Sequence, residues 1–317
     1  MNQPLVSIVI PCYNARQYVG EAIESALTQT YPHREVIVID DGSTDGSVDV
    51  LRAFGNQIRW ETGPNRGACA ARNRGIELSL GKFIQFLDAD DLLLPDKLSM
   101  QVPLATHSSV CMTCCDWLTS ELCAATEPYV TPVPDVTGDP VILALTHFLT
   151  ISGPLHHRAA LLDIGGFRED LTCCQDSDLQ LRLACRGLTF RRLPVTLFHR
   201  RIREHSVSSN YERVLLQSRE VYWCAFDLLS VQGELTDLRA RAFSARMASD
   251  GRALLRFGNA AAAALNFQDA YRMHSSGGVL DAYRGHTRLV RRFLGARITE
   301  KLVSFKRQSM PRLTNQR

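Results

Sequence analysis

Short apolar runs alternate with amphipathic segments through the first third of the chain. Runs rich in β-branched and aromatic residues predict strands at 5–10, 36–39, 58–60 and 83–87. Between them, apolar residues recur at three- and four-residue steps, most clearly from Ala15 to Thr30, which indicates amphipathic helices. Strands and helices that alternate over short links predict a mainly parallel α/β sheet with helices on both faces.

The second half of the chain is less regular. The segment Tyr129–Pro140 is rich in proline and predicts a loop, whereas Gln175–Arg186 has the apolar spacing of a helix. Beyond Tyr211 the pattern is helical. We therefore expect an α/β domain over residues 1–210, followed by a helical C-terminal region over residues 211–317.

Composition places the chain among globular proteins, with 317 residues, 45% apolar and 22% charged. The formal net charge of +3 is too small to indicate nucleic-acid binding, although residues 284–317 hold ten Lys or Arg against one acid, Glu300. No apolar run reaches the roughly 18 residues that a membrane span needs, and the N-terminus lacks a secretory signal pattern. Ten cysteines in such a chain indicate reduced thiols and a cytoplasmic protein.

Polar clusters follow three of the predicted strands. Cys12-Tyr13-Asn14 follows the first strand, Asp40-Asp41 the second, and Asp88-Ala89-Asp90-Asp91 the strand at 83–87. Ligands of parallel α/β sheets bind beyond the carboxyl ends of the strands. The three clusters therefore predict a binding site at one edge of the sheet.

Three aspartates close together imply a cation. In an extended segment, Asp88 and Asp90 point to the same side and Asp91 follows directly behind. Their charges repel unless a positive ion lies between them, and Mg²⁺ or Mn²⁺ prefers oxygen ligands. The alternative is a strand-ending turn, where Asp is common. The order of elements around the cluster favours the cation.

Other polar residues have two interpretations each. Asp40 and Asp41 open a segment that predicts a turn and a helix cap, and Asp41 could also accept hydrogen bonds from a nucleobase or ribose. Arg66 and Arg72 lie where a loop enters a helix, either to bind phosphate or to be solvated. Asp176 and Asp178 open a helix, so each could cap it or act as a general base. The stretch 198–210 is rich in arginine and contains His205, which could be structural or a metal ligand.

Four segments resemble the signature of family 2 glycosyltransferases: LVSIVIPCYNA (5–15), IDDGSTDGS (39–47), NRGACAARNRG (65–75) and GKFIQFLDADDLLLPDKL (81–98). The resemblance is strong over the first hundred residues or so and continues, more thinly, to about residue 210. It implies a GT-A-type, Rossmann-like α/β fold with a mainly parallel mixed sheet between helices. It also implies nucleotide-sugar binding in about 1–105 and acceptor and base functions in about 106–210.

The resemblance also implies roles for single residues. The nucleobase pocket would be lined by Pro11, Tyr13 and Asp41, with Asp40 nearby, and Arg72 would lie near the donor. Asp88 would contact ribose or metal and Asp90 the metal. Asp91 extends the motif, and which two of the three aspartates bind the ion stays open.

The family often has a Glu-Asp pair before a late helix, in which the Asp is the base. Here the pair reads Gln175-Asp176, so the resemblance makes Asp176 the general base, with Asp178 as the alternate. Gly165-Gly166-Phe167 matches a segment that borders the acceptor. A late histidine that completes the metal shell would correspond to Arg203 or His205.

The expected activity is inverting transfer of a sugar from a nucleotide diphosphate sugar, with UDP favoured, to a hydroxyl of a glycan or lipid-linked acceptor. Such a reaction would serve bacterial surface polysaccharide or glycolipid synthesis and would use Mg²⁺ or Mn²⁺. The alternatives are a sugar-phosphate nucleotidyltransferase and a catalytically silent nucleotide-sugar binding module. A near-helical apolar stripe within the basic tail could lie on the inner face of the cytoplasmic membrane or pack on a second copy of the chain.

Overall fold

A computed structural model of the chain describes residues 3–106, 111–121, 127–132, 138–147, 149–202, 210–275 and 281–282. Its residues form two compact units, Met1–Ser209 and Asn210–Arg317. Arg203, His205 and the basic tail from Arg284 onwards lie outside the described residues, and so do residues 133–137 of the predicted proline-rich loop.

Strands and helices alternate in the first unit. Its described strands are β1 (Val6–Cys12), β2 (Arg34–Asp40), β3 (Arg59–Thr62), β4 (Phe83–Phe86), β5 (Leu92–Leu93), β6 (Cys111–Glu121), β7 (Tyr129–Thr131), β8 (Leu155–His157) and β9 (Thr189–Ile202). Its described helices are α1 (Val19–Leu27), α2 (Ser47–Ala53), α3 (Ala68–Leu78), α4 (Lys97–Thr106), α5 (Pro140–Thr146), α6 (Arg158–Asp163) and α7 (Gln175–Cys185). A short 3₁₀ turn, Gly55–Gln57, precedes β3.

One mixed sheet joins the strands in the order β3-β2-β1-β4-β8-β6-β9-β5, with β7 on β6. The pairs β1–β2, β1–β4 and β2–β3 are parallel, which the alternation of strands and helices predicts. The pairs β4–β8, β6–β8, β5–β9 and β6–β7 are antiparallel, whereas β6–β9 is parallel. The predicted α/β fold is therefore confirmed, and its antiparallel pairs lie in the second half of the sheet.

The centre of the sheet is apolar on both sides. Every residue of β1 is buried except the half-buried Pro11, as expected for a strand with a neighbour on each edge and helices packed against it. Helix α3 lies close to this strand because residue 75 is glycine: a Cβ there would lie 2.2 Å from Cγ1 of Val9.

Two elements differ from their predictions. Helix α1 begins at Val19 rather than near Ala15, because the backbone N–H groups of Ala15 and Arg16 donate to Ser47 and Asp45 instead of entering a helix. The predicted loop Tyr129–Pro140 contains the short strand β7, since the β-prone residues Tyr129–Thr131 pair with β6.

The second unit is helical over its described residues, as the pattern beyond Tyr211 predicts. Its helices are α8 (Tyr211–Val231), α9 (Asp237–Arg256) and α10 (Ala260–Met273). The side chains of Asn210, Thr236 and Asn259 accept hydrogen bonds from backbone N–H groups in the first turn of each helix. Among the described residues, no helix is both long enough and apolar enough to pass through a membrane.

Candidate active site

The loops after β1 and β2 interlock at the carboxyl edge of the parallel strands. The backbone N–H of Asn14 donates to Oγ of Ser43 at 2.9 Å, and the N–H of Thr44 donates to Oδ1 of Asn14 at 2.8 Å. Asn14 adopts a left-handed conformation with φ +48°, which asparagine tolerates better than most residues. The predicted nucleotide-binding residues after the first two strands therefore lie at one edge of the sheet, in loops that are hydrogen-bonded to each other.

The two aspartates after β2 are held by their own loops. Buried Asp40 accepts a hydrogen bond from Oγ1 of Thr62 at 2.6 Å. Asp41, also buried, accepts the backbone N–H groups of Arg66 and Gly67, at 2.7 and 2.8 Å, one on each oxygen. Asp41 thus fixes the loop that leads into α3. Tyr13, by contrast, is 50% exposed. The nucleobase-binding roles of Pro11, Tyr13, Asp40 and Asp41 stay predictions.

Arg72 connects three segments that are far apart in sequence. It is buried, its Nη2 donates to Oδ1 of Asp88 at 2.7 Å, and its Nη1 donates to Oε1 of Gln175 at 2.9 Å. Its guanidinium also lies 5.3 Å from the centre of the Phe167 ring, a cation–π distance. Gln175, which stands where the resembling family often has Glu, accepts this hydrogen bond through a neutral amide.

Asp176 lies at the start of α7, next to this cluster. It is half-buried, and its Oδ2 accepts the backbone N–H of Ile151 at 3.1 Å. Burial raises the pKa of Asp176 to about 6, against the opposing effect of Arg72 and with a further increase from Asp88. A carboxylate with a pKa near 6 is ionised at neutral pH and accepts a proton more readily than an ordinary aspartate.

Asp178, the alternate base, is buried in an ion pair. Its Oδ2 lies 2.7 Å from Nη2 of Arg182, and the same arginine donates to the backbone oxygens of Ile164 and Gly166. Burial raises the pKa of Asp178, and Arg182 opposes that increase. These contacts hold the turn before α7, so the structure brings Asp176, but not Asp178, to the Arg72 cluster.

The three aspartates after β4 have different surroundings. Asp91 is buried and accepts hydrogen bonds from Oγ of Ser152 at 2.9 Å and from the backbone N–H of Arg201 at 3.0 Å. Burial, together with the charges of Asp88 and Asp90, raises the pKa of Asp91 well above its usual range. Asp91 is thus enclosed by protein, whereas Asp88 and Asp90 are half-buried.

Asp88 and Asp90 are the carboxylates suited to a divalent cation. They are hard oxygen donors, and their charges add to the effect of burial in raising the pKa of Asp91. Over the part of the chain that the structure describes, no three His, Cys, Asp or Glu side chains form a metal site by themselves. Further ligands would come from water, from a bound substrate or from residues outside that part, such as His205.

Sequence reasoning missed the loop 151–153. The N–H of Ile151 binds Asp176, the hydroxyl of Ser152 binds Asp91, and the backbone N–H of Asp88 lies 3.4 Å from the same hydroxyl. This loop is therefore the shared support of the site carboxylates. The Ile151 bond is made by a backbone N–H, which leaves no signal in the sequence, and the other two use the hydroxyl of Ser152.

Lys97 holds the same loop from inside the protein. It is fully buried in α4, and its Nζ donates to the backbone oxygen of Gly153 at 2.6 Å and to Oε1 of Gln101 at 2.7 Å. Its ammonium lies 5.6 Å from the centre of the Phe198 ring, and burial lowers its pKa. A lysine and a glutamine four residues apart on a helix with buried apolar neighbours are the signal that could have revealed this support.

The turn that carries Phe167 is anchored on α3. Asn73 accepts the backbone N–H of Phe167 at 2.8 Å and donates to its carbonyl oxygen at 2.9 Å. Gly166 has φ +68°, and a Cβ there would lie 2.4 Å from Oδ1 of Asn73, so the close approach requires glycine.

Comparisons with known proteins agree with this geometry. Residues 7–150 match the family model described as Glycosyl transferase family 2. An uncharacterized glycosyltransferase of Haemophilus influenzae is 41% identical over 117 residues, which cover 36% of this chain and 47% of that protein. The putative teichuronic acid biosynthesis glycosyltransferase TuaG of Bacillus subtilis is 39% identical over 113 residues, 34% of this chain and 44% of that protein. The chain thus matches less than half the length of either relative.

Solved structures show the same fold at low sequence identity. S. aureus TarS 1-349 in complex with UDP-GlcNAc has a TM-score of 0.70 and 17% identity over 96% of this chain and 92% of that chain. The crystal structure of TarS 1-349 described without a ligand has a TM-score of 0.67 at the same identity, with 97% and 93% covered. This likeness confirms the GT-A-type fold.

Proposed function

We propose that this chain, whose residues 7–150 match the model of glycosyl transferase family 2, transfers a sugar from a nucleotide diphosphate sugar to an acceptor hydroxyl, with inversion. UDP is the favoured nucleotide, supported by the UDP-GlcNAc complex of the similarly folded TarS. The acceptor is a glycan or a lipid-linked sugar of the bacterial cell surface. The relationship to the putative teichuronic acid glycosyltransferase TuaG supports that setting.

One observation carries the proposal: a carboxylate with a raised pKa, Asp176, stands beside the Arg72–Asp88 ion pair. Asp176 removes the proton of the acceptor hydroxyl while that oxygen forms its bond to the anomeric carbon. The bond from this carbon to the diphosphate oxygen breaks on the opposite face, and the diphosphate keeps the electron pair. A single displacement inverts the anomeric centre.

Arg72 and the two half-buried aspartates complete the donor side. The buried guanidinium of Arg72 keeps Asp88 and Gln175 in place and adds a fixed positive charge beside the leaving group. Asp88 and Asp90 would hold a divalent cation, Mg²⁺ or Mn²⁺, which supplies charge stabilisation to a diphosphate. The basic tail is proposed to contact an anionic membrane surface from the cytoplasmic side.

The alternative is a module that binds nucleotide sugar without turning it over. It is suggested by Gln175, a neutral residue where the resembling family often has Glu. A nucleotidyltransferase is disfavoured because residues 12–16 are bound to the loop 43–47 and do not form a glycine-rich phosphate loop.

The test combines binding and turnover on the full chain. We expect UDP and UDP-sugars to raise the melting temperature more with Mn²⁺ than without it, and slow release of UDP from a UDP-sugar when no acceptor is present. GDP- and dTDP-sugars serve as matched donors. UDP binding without turnover of any donor would favour the silent module, and absence of both binding and turnover would refute the proposal.

A further inference from the structure

Two cysteines stand side by side directly before the residue proposed as general base. Cys173 and Cys174 precede Gln175 and Asp176 at the start of α7, and their sulfur atoms lie 3.8 Å apart. Both are free thiols, Cys173 buried and Cys174 half-buried. The pair is therefore a contact between two nucleophilic side chains to which the proposed transfer reaction gives no role.

The fold, and not adjacency in sequence alone, brings these two sulfurs together. Cys174 has a left-handed backbone conformation, φ +59°, where the chain turns into α7. Cys114 and Cys115 are adjacent as well, but they lie in β6, where successive side chains point to opposite faces, and both are buried. Of the two adjacent cysteine pairs in the sequence, the one before α7 thus has its sulfurs in contact and one thiol open to solvent.

The surroundings suit Cys174 as the thiol that reacts first. It is the N-cap residue of α7, and a helix N-terminus favours the thiolate, which is the reactive form. Accessible cysteines of this kind that have a second thiol beside them are the ones that peroxides oxidise reversibly. Cys173 is placed to be that second thiol.

We propose that Cys173 and Cys174 are a redox modification site, at which hydrogen peroxide closes a disulfide between the two neighbouring residues. The Cys174 thiolate attacks one peroxide oxygen, the O–O bond breaks, and the hydroxide that leaves takes up the thiol proton as water. The product is a sulfenic acid. The Cys173 thiolate then attacks that sulfur, and the S–O bond breaks with release of a second water. Two thiols are oxidised, and one peroxide is reduced to two waters.

A disulfide between neighbours is strained. Disulfides have sulfurs about 2.05 Å apart and Cα atoms usually about 4.4–6.8 Å apart, whereas the Cα atoms of adjacent residues are only about 3.8 Å apart. Strained disulfides have the higher reduction potentials and are the labile, regulatory ones. We therefore expect the bond to be reduced readily when the peroxide is removed and a thiol is supplied.

Closing the ring also alters the start of α7. The carbonyl oxygen of Cys174 accepts the backbone N–H of Asp178 at 2.9 Å, and the side chain of Gln175 accepts a hydrogen bond from Arg72. A shift of the backbone at Cys174 therefore acts on both bonds and displaces Asp176, which lies between them in sequence. The expected effect on turnover rests on the glycosyl transfer proposed above, whereas the modification itself does not.

Mass spectrometry of the full chain, treated with a few equivalents of hydrogen peroxide, tests the modification without reference to activity. The chain should lose two hydrogen atoms, peptide analysis should map the loss to Cys173–Cys174, and dithiothreitol should reverse it. Cys173→Ser and Cys174→Ser should each abolish this disulfide, whereas Cys224→Ser, at an exposed thiol of α8, should leave it unchanged. No disulfide, or a disulfide to another cysteine, would overturn the proposal.

Phenylarsine oxide tests the pair in the unaltered chain, so the result does not depend on whether the variants fold. Its trivalent arsenic forms two As–S bonds with two neighbouring thiols and releases one water. One equivalent should protect Cys173 and Cys174 together from alkylation and should prevent the peroxide-induced disulfide. Alkylation of both cysteines in the arsenical-treated chain would contradict the pairing.

Turnover separates this inference from the proposed function. UDP release by the oxidised chain should fall roughly tenfold or more, because a 1 Å misplacement in an active site can cost about 10²-fold, and Cys174→Ser should be insensitive to peroxide. A disulfide that leaves turnover unchanged would refute the effect on Asp176. If the disulfide forms in a chain that turns over no donor, glycosyl transfer fails and the modification site stands. If donor is turned over and no disulfide forms, the modification site fails alone.

Discussion

The two halves of the sheet hold the candidate site's side chains in different ways. Around β1 to β4, carboxylates and hydroxyls bind backbone N–H groups of neighbouring loops, as Asp41 does with Arg66 and Gly67. In the half that contains β5 to β9, the backbone N–H of Ile151 binds Asp176, and the buried Lys97 binds the backbone oxygen of Gly153 in the same loop. The first arrangement fixes the loop around Asp41, and the second leaves Asp176 as a half-buried carboxylate with a raised pKa.

This difference separates carboxylates that support stability, such as Asp41, from the carboxylate proposed to react, Asp176. Both oxygens of Asp41 are occupied by backbone N–H groups of the loop that leads into α3. Asp176 has one backbone N–H bond and substantial burial, so its charged form is less favoured and its basicity higher. We therefore expect substitutions in the first half to act mainly on stability, and Asp176 substitutions to act mainly on turnover.

The largest expected effect is that of Asp176→Asn, which keeps the shape of the side chain but removes the base. Transfer should fall roughly 10²- to 10⁴-fold, the usual contribution of general base catalysis. Donor affinity, measured by calorimetry with UDP, should be retained because Arg72, Asp88 and Asp90 are unchanged.

The matched control is Asp178→Asn, two residues further along the same helix. It breaks a buried ion pair with Arg182, so it should lower the free energy of unfolding by about 3 kcal/mol or more. Turnover per folded molecule should fall far less than in Asp176→Asn. The reverse ranking of the two variants would assign the base to Asp178.

The two halves of the sheet also differ in how well the sequence predicts them. The positions of the loops after β1 and β2 could be predicted because their polar residues follow buried strands within the segments 5–15 and 39–47. The order β8-β6-β9-β5 could not, since partner strands that are far apart in sequence leave no local period, whether they pair parallel or antiparallel. The supporting roles of Ile151 and Gly153 could not be predicted either, because these residues act through backbone N–H and C=O groups, which do not depend on the side chain.

A smaller effect is expected from Asp41→Asn, which tests the first half of the comparison. The amide nitrogen cannot accept a hydrogen bond, so one of the two N–H groups of Arg66 and Gly67 loses its partner. We expect a loss of about 1–3 kcal/mol in the free energy of unfolding. Urea denaturation should show a lower midpoint with an unchanged slope.

The control for that variant is Asp49→Asn, whose exposed ion pair with Arg52 contributes little. If Asp41→Asn changes the urea midpoint no more than Asp49→Asn does, the loop does not depend on the charged carboxylate, and the contrast between the two halves is lost.

The smallest effect is a pH dependence that originates at Asp176. Burial and the charge of Asp88 raise its pKa, while Arg72, the N–H of Ile151 and Arg200 lower it, and the balance lies at about 6. The base must be ionised, so kcat/KM for the acceptor, which reports the base before the acceptor binds, should be half-maximal near pH 6 and fall about tenfold for each pH unit below.

Because Arg200 lowers the pKa of Asp176, Arg200→Gln should move this acid limb to higher pH, whereas Arg191→Gln, at an exposed arginine of the same strand, should not. Initial rates between pH 5 and 8 measure both curves, with the urea midpoint followed over the same range so that unfolding is not mistaken for titration. A limb that stays in place in Arg200→Gln would mean that the guanidinium of Arg200 does not act on the base.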